Sequence, residues 1–310
     1  MILFFFLNKI SLKTQSYNIK ISFQTSTILT FSLINALYFG IAFFSENLRS
    51  EDNYYKELKY EVKSKYSHIK VYDEKSKRFL CFVRDNGDEV VESSIDIKHP
   101  EELQLKYTQA MFGAYLLNKK LPQKTLMIGL GGGGMPLFNS HYFPEVEMKI
   151  VELDPEIVKI AKSYFYLTEK IQKNIIIEDA FTYLKNSNQK FDIIFMHAFL
   201  KPSRDTDETG VSYKFKEKAF YNLLLSNLNM NGIVVFNINH HSKYKSDLES
   251  ISGIFPSIYV INRKNSGNYI VVASTSKYKI PIADLKIMAE WIDRDRKPNY
   301  SFVEMLGEIK

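Results

Sequence analysis

One segment limits the fold more than any other: Leu126-Met127-Ile128-Gly129-Leu130-Gly131-Gly132-Gly133-Gly134-Met135-Pro136, a hydrophobic run that passes directly into a glycine cluster. Glycine permits left-handed backbone angles and lets a ligand approach the main chain within contact distance. About 20 residues further on, the next strand ends in Val151-Glu152-Leu153-Asp154-Pro155, where an acid can reach the ribose hydroxyls of a nucleoside bound across the first strand. The strand after that ends in Glu178-Asp179-Ala180. A lone glycine run is weak. Together with two spaced acids it points to a nucleoside site, with Gly129, Gly131, Gly132 and Gly133 as the cradle and Glu152, Asp179 and Ala180 on its wall. Asp179 also has a purely structural reading, as the N-cap of a helix from Ala180 onward.

The surrounding pattern alternates strand and helix. Strands are expected at Thr125–Gly129, Met148–Glu152, Ile175–Glu178, Asp192–Met196, Gly232–Asn237, Ser257–Ile261 and Tyr269–Ala273, with helices between the first six. The last two are joined by Asn262–Asn268, too short for a parallel crossover, so they pair antiparallel. Five parallel strands followed by an antiparallel closing pair give an α/β fold, a seven-stranded doubly wound Rossmann-like sheet of the class I methyltransferase kind.

Upstream, Lys65–Tyr72 and Arg78–Val83 alternate as strands. Asp85-Asn86-Gly87-Asp88 marks a turn before Glu89-Val90-Val91, and a helix is expected from Pro100 to about Asn118. The division is therefore an N-terminal hydrophobic segment (1–50), a small β region (51–100) and the Rossmann-like domain (101–310). Residues 21–45 carry no charge and follow Lys9, Lys13 and Lys20, as a signal or membrane anchor would. A cleaved signal, an overextended gene start and a buried helix remain open readings. Net charge is +6, mild for a lysine-rich chain, and no nucleic-acid partner is expected. The single cysteine, Cys81, excludes an internal disulfide and Cys-based zinc sites, and no metal is expected.

At these residues the chain resembles the spermidine synthase-like family. The likeness runs from about Tyr66 to Ala273 and takes in Tyr107-Thr108-Gln109-Ala110-Met111, the glycine loop, Val151–Pro155, Asp179-Ala180 and Phe191-Asp192-Ile193-Ile194. The resemblance implies S-adenosylmethionine or its decarboxylated form as donor, with Glu152 on the ribose and Asp179 on the adenine. It implies an amine or a protein lysine as acceptor, with Tyr107 and Gln109 lining its pocket, and a homodimer or larger assembly; the cytosolic donor implies a cytoplasmic catalytic domain, while the signal-like N-terminus leaves the orientation open. The Gly-Leu-Gly-Gly-Gly form is more similar to bacterial spermidine synthase-like proteins and to eukaryotic lysine methyltransferases than to true aminopropyltransferases.

Three departures bear on the reaction. The family's aspartate within the glycine loop is Gly132 here, which removes repulsion of a carboxylate and leaves room, favouring the intact donor and methyl transfer. The acid after the fourth strand is His197, a candidate base with an ordinary pKa of about 6.5. Leu200 and Lys201 stand where a second acid would be, and Lys201 would repel a diamine. Asp205, Asp207 and Glu208 in the following loop could replace the missing acids, Asp205 being the substrate-binding candidate. Aminopropyl transfer to a polyamine and nucleoside binding without turnover stay open as alternatives.

Overall fold

A computed structural model describes residues 56–118, 120–200, 202–264 and 266–310. The uncharged segment 21–45 and Lys201 lie outside them. Residues Lys56–Lys310 form one compact unit. Among the described residues no helix is long and apolar enough to cross a membrane.

The unit begins with an antiparallel meander: β1 (Lys56–Lys63), β2 (His68–Glu74), β3 (Lys77–Val83) and β4 (Glu89–Asp96). The β3–β4 turn falls on Asp85–Asp88, with Gly87 at φ 86° supplying the left-handed position. β4 runs past Val91 to Asp96. Leu80 pairs with Ser93 and Cys81 with Val91, so Glu92 is the extra residue of a β-bulge.

A short helix, α1 (Lys106–Met111), continues as a 3₁₀ turn over Phe112–Tyr115. The expected start at Pro100 is therefore too early. The Leu103 carbonyl accepts from Gln109 Nε2 and Asn299 Nδ2, so side chains hold the irregular stretch before Lys106.

The large domain follows as β5 (Lys124–Ile128), α2 (Gly134–Tyr142), β6 (Glu147–Glu152), α3 (Pro155–Tyr164), α4 (Glu169–Gln172), β7 (Ile175–Ile177), α5 (Ala180–Asn186), β8 (Phe191–Met196), α6 (Lys218–Ser226), β9 (Leu228–Asn239), α7 (Tyr244–Ser252), β10 (Ser257–Ile261), β11 (Asn268–Ser274), α8 (Ile282–Asp295) and α9 (Phe302–Met305). The sheet order is β10-β11-β9-β8-β5-β6-β7. β11 inserts between β9 and β10 and is antiparallel to both. Only β11 is thus reversed, because the hairpin folds back into the sheet rather than adding outside it. Alternation along the buried strands fills two cores. Met127, Ile193, Phe195 and Val235 face one side, while Leu126, Ile128, Ile194 and Val234 face the other. The small sheet shares the first core through Ile69, Val71, Leu80 and Ile95. On α8, Trp291 and Met288 pack against that core, whereas Ile287 is exposed.

Candidate functional site

The carboxyl ends of β5, β6, β7 and β8 meet at one cavity, the edge at which open α/β sheets bind ligands. Gly129, Gly131, Glu152, Asp179, Ala180 and His197 all line it. Tyr66, Ser67, Phe82 and Glu92 of the small sheet and its turns close the wall, and Ala198, Phe199, Leu200 and Phe215 complete the far side.

Glu152 ends β6 with 8% of its surface exposed. Its Oε2 accepts from Leu130 N at 2.7 Å and its Oε1 from Asp154 N at 2.8 Å. Burial raises its pKa while these N–H bonds oppose the shift. The Leu153 N–H also acts on the carboxylate. Asp154 accepts from Glu156 N at 2.9 Å, capping α3, and also from Ser64 Oγ of the small sheet's turn. Asp179 is exposed and caps α5 through Thr182 N at 3.0 Å. The structural role foreseen for it is present, and its position on the cavity wall leaves the ligand role available as well.

The glycines divide by function. Gly129 and Gly131 lie on the wall at φ 92° and 56°. Gly133 is the N-cap of α2 at φ 77°, and a Cβ there would meet Leu167 at 2.5 Å. Gly132 corrects the sequence reading: it leaves no room. A Cβ there would lie 2.8 Å from the Phe165 ring and 2.9 Å from Ser93 Cβ, and its N–H donates to Ser93 Oγ at 2.8 Å. An acid at this position would have to displace both side chains.

His197 follows β8 and is 7% exposed. Tyr107 stacks beside it with ring centroids 5.6 Å apart. The Tyr107 hydroxyl donates to the Glu92 carbonyl at 2.9 Å and lies 3.1 Å from His197 Nε2. One phenolic proton serves one acceptor, so Nε2–H is the donor in the second contact. Nδ1 then carries the lone pair, buried and without a partner. Burial lowers the His197 pKa to about 4. The ring is therefore neutral at pH 7 with an unpartnered Nδ1, and burial makes it a weaker base than its residue type suggests.

Glu92, which the sequence reading missed, is the other titratable group at this end. Burial pushes its carboxyl up to about 7. The signal available was an acid among Val90, Val91, Ser93 and Ser94; the bulge that turns it inward has no sequence mark.

The two groups give opposite pH dependences. His197 titrates at 6.5 unfolded and about 4 folded. Its contribution is present above pH 6.5 and lost as pH falls toward 4, on the order of 3 kcal/mol. Glu92 titrates at 4.5 unfolded and about 7 folded. Its contribution is full below pH 4.5 and lost as pH rises toward 7. In urea unfolding across this window, Glu92→Gln should therefore steepen the loss of stability on acidification relative to the parent, and His197→Asn should flatten or reverse it. Parallel profiles for all three proteins would show the two shifts to be wrong.

Two acceptor-side candidates are placed elsewhere. Gln109 bonds Leu103 O and accepts from Arg263 Nη1 at 3.1 Å, so its amide is spent on structure. The Asp205 side chain is 81% exposed and off the cavity wall. Its polar loop was legible, but Asp207 is the residue that turns inward. The Lys216 ammonium lies 2.8 Å from Asp207 Oδ2 and 2.6 Å from Asp247 Oδ2, and His241 Nε2 is 2.9 Å from the latter. Ligand atoms of Asp207, His241 and Asp247 fall within 4.8 Å of one another, but Lys216 already supplies the cation there.

A seven-stranded sheet with one reversed strand, carrying a glycine loop and acids at the ends of β6 and β7, defines the class I methyltransferase fold. The family model for the spermine/spermidine synthase domain matches residues 104–280, and the chain belongs to that family. It is 30% identical over 196 residues to a polyamine aminopropyltransferase of Neisseria meningitidis, covering 62% of this chain and 72% of that one. It is 28% identical over 202 residues to the eEF1A lysine and N-terminal methyltransferase of Xenopus laevis, covering 60% of this chain and 29% of that one. Among solved structures, a spermidine synthase in complex with the transition-state analogue AdoDATO aligns with TM-score 0.61 and 18% identity, covering 81% of this chain and 84% of that one. Human methyltransferase-like protein 13 in complex with SAH aligns with TM-score 0.56 and 22% identity, covering 63% and 94%. These two likenesses speak for the fold.

Proposed function

We propose that this chain transfers a group from S-adenosylmethionine, or its decarboxylated form, to an amine, a small molecule or a protein lysine, with methyl transfer from the intact donor preferred. The observation that carries the reading is one cavity in which Gly129 and Gly131, Glu152, Asp179 and the end of β8 converge. Adenosine spans the β6 and β7 acids, and the sulfonium then lies toward the glycine loop and His197.

Methyl transfer is favoured by the acceptor end. A diamine brings two positive charges, whereas this end offers one uncommitted carboxylate, Glu92. The aminopropyl reading keeps one observation of its own: no lysine or arginine is among the described residues lining the cavity, so no side-chain cation awaits the carboxylate of the intact donor. Calorimetric titration with S-adenosylmethionine, its decarboxylated form and methylthioadenosine tests both. Tighter binding of the intact donor, with methylated amine as product, is the expected result. Preference for the decarboxylated donor would establish aminopropyl transfer instead, and binding of none of the three would end the proposal.

A further inference from the structure

We propose that Glu92 is the carboxylate that receives the acceptor's ammonium group and takes its proton. The inference rests on the amine-alkylation reading and adds a stronger base than the strand-end His197, whose basicity burial lowers.

Backbone geometry carries the argument. Glu92 is the bulged residue of β4, skipped between the Leu80–Ser93 and Cys81–Val91 pairs. Bulges re-aim a side chain out of the regular alternation and recur beside active sites. The bulge is held from two directions. Tyr107 donates to the Glu92 carbonyl, and the neighbouring Ser93 Oγ accepts from Gly132 N in the glycine loop. The backbone at Glu92 is thereby fixed beside the cavity that Gly129 and Gly131 also line.

Charge accounting isolates the same residue. Five carboxylates line the cavity: Glu92, Glu152, Asp154, Glu178 and Asp179. Glu152, Asp154 and Asp179 accept backbone N–H groups. Glu178 stands beside Asp179 at the far, adenine end. Among the described residues no donor reaches the Glu92 carboxylate, and Arg84 acts on it only through its field. The other titratable groups around it are Cys81 on β3, Tyr107 on α1 and His197 after β8. Burial lifts the thiol to about 11 and raises the phenol, while His197 is held neutral. Glu92 is half-buried in a mostly apolar stretch of the wall, and a carboxylate there without a partner is relieved by an ammonium ligand.

The step balances. R–NH₃⁺ gives a proton to the Glu92 carboxylate. The freed nitrogen pair attacks the donor's sulfonium-bound carbon, and the C–S pair stays on sulfur as a neutral thioether. The product leaves as an alkylammonium, and Glu92 returns to its carboxylate form by releasing the proton to solvent.

The test is calorimetric titration of n-butylamine and of butane-1,4-diamine into the full chain, with and without saturating methylthioadenosine, for the parent, Glu92→Gln and Glu92→Asp. We expect an amine to bind the parent at least tenfold tighter than Glu92→Gln. Glu92→Asp should recover part of the difference, and methylthioadenosine affinity should stay within twofold throughout. Where turnover is measurable, Glu92→Gln should lose the rise of kcat with pH near 7. Equal amine binding by parent and Glu92→Gln, or none by the parent, would overturn the assignment. Failure of methylthioadenosine to bind would instead remove the donor reading, and the amine comparison would still decide Glu92.

Discussion

Gly129→Ala is expected to destabilise the whole fold rather than merely the site, with a loss of more than about 3 kcal/mol. Gly129 sits at φ 92°, where an L side chain is strained before any contact is considered. Its Cβ would lie 2.1 Å from the His197 carbonyl oxygen, 2.8 Å from the carbonyl carbon and 3.0 Å from Ala198 Cα. All three are backbone atoms, so no rotamer change relieves the overlap. β5 and β8 are the central parallel pair, and His197 N donates to Ile128 O at 2.9 Å just before the clash. Separating the chains would break that bond and open both cores. For a domain of this size the expected fall in Tm is about 10 °C or more. Gly267→Ala is the control: φ is 62°, but nothing lies within 4 Å of a Cβ. It should cost only the conformational strain, about 1 kcal/mol. Thermal unfolding of both variants by circular dichroism checks the contrast, and a Gly129→Ala melting point within a few degrees of the parent would refute it.

The same two strands explain what the sequence could show. Leu126–Gly129 and Phe191–Met196 are apolar runs ending in residues of unusual chemistry, and periodicity with glycine chemistry suffices to order them. The short Asn262–Asn268 turn likewise required an antiparallel pair. Where that pair enters the sheet is a long-range pairing with β9, which local pattern does not encode. Within the site, Glu152 and Asp179 were legible because strand-end acids follow the sheet's period. Gly132 misled because a glycine in sequence says nothing about what fills its missing side chain, here Ser93 and Phe165. The place of Glu92 on the cavity wall was hidden by a one-residue bulge that shifts alternation, and the lowered basicity of His197 by a burial its residue type does not announce.

Glu152→Ala should weaken nucleoside binding by more than tenfold and lower stability in the same variant. Charge-assisted hydrogen bonds to ribose contribute roughly 1.5–3 kcal/mol each, and 1.4 kcal/mol is a factor of ten. The stability loss has a separate origin. Without the carboxylate, Leu130 N and Asp154 N lose their acceptors in a buried setting. Each orphaned donor costs roughly 1–3 kcal/mol. The first belongs to the glycine loop and the second to the residue that caps α3, so both walls of the cavity loosen together. Glu152→Gln is the more discriminating variant. Its amide keeps one acceptor oxygen but sets an NH₂ against the other backbone N–H, so it should fall between parent and alanine in both measurements. Affinity measured well below each melting point separates the two effects. A Glu152→Ala protein that is fully folded yet binds methylthioadenosine as tightly as the parent would show that β6 ends in a structural acid, and the nucleoside would have to be sought elsewhere on the sheet edge.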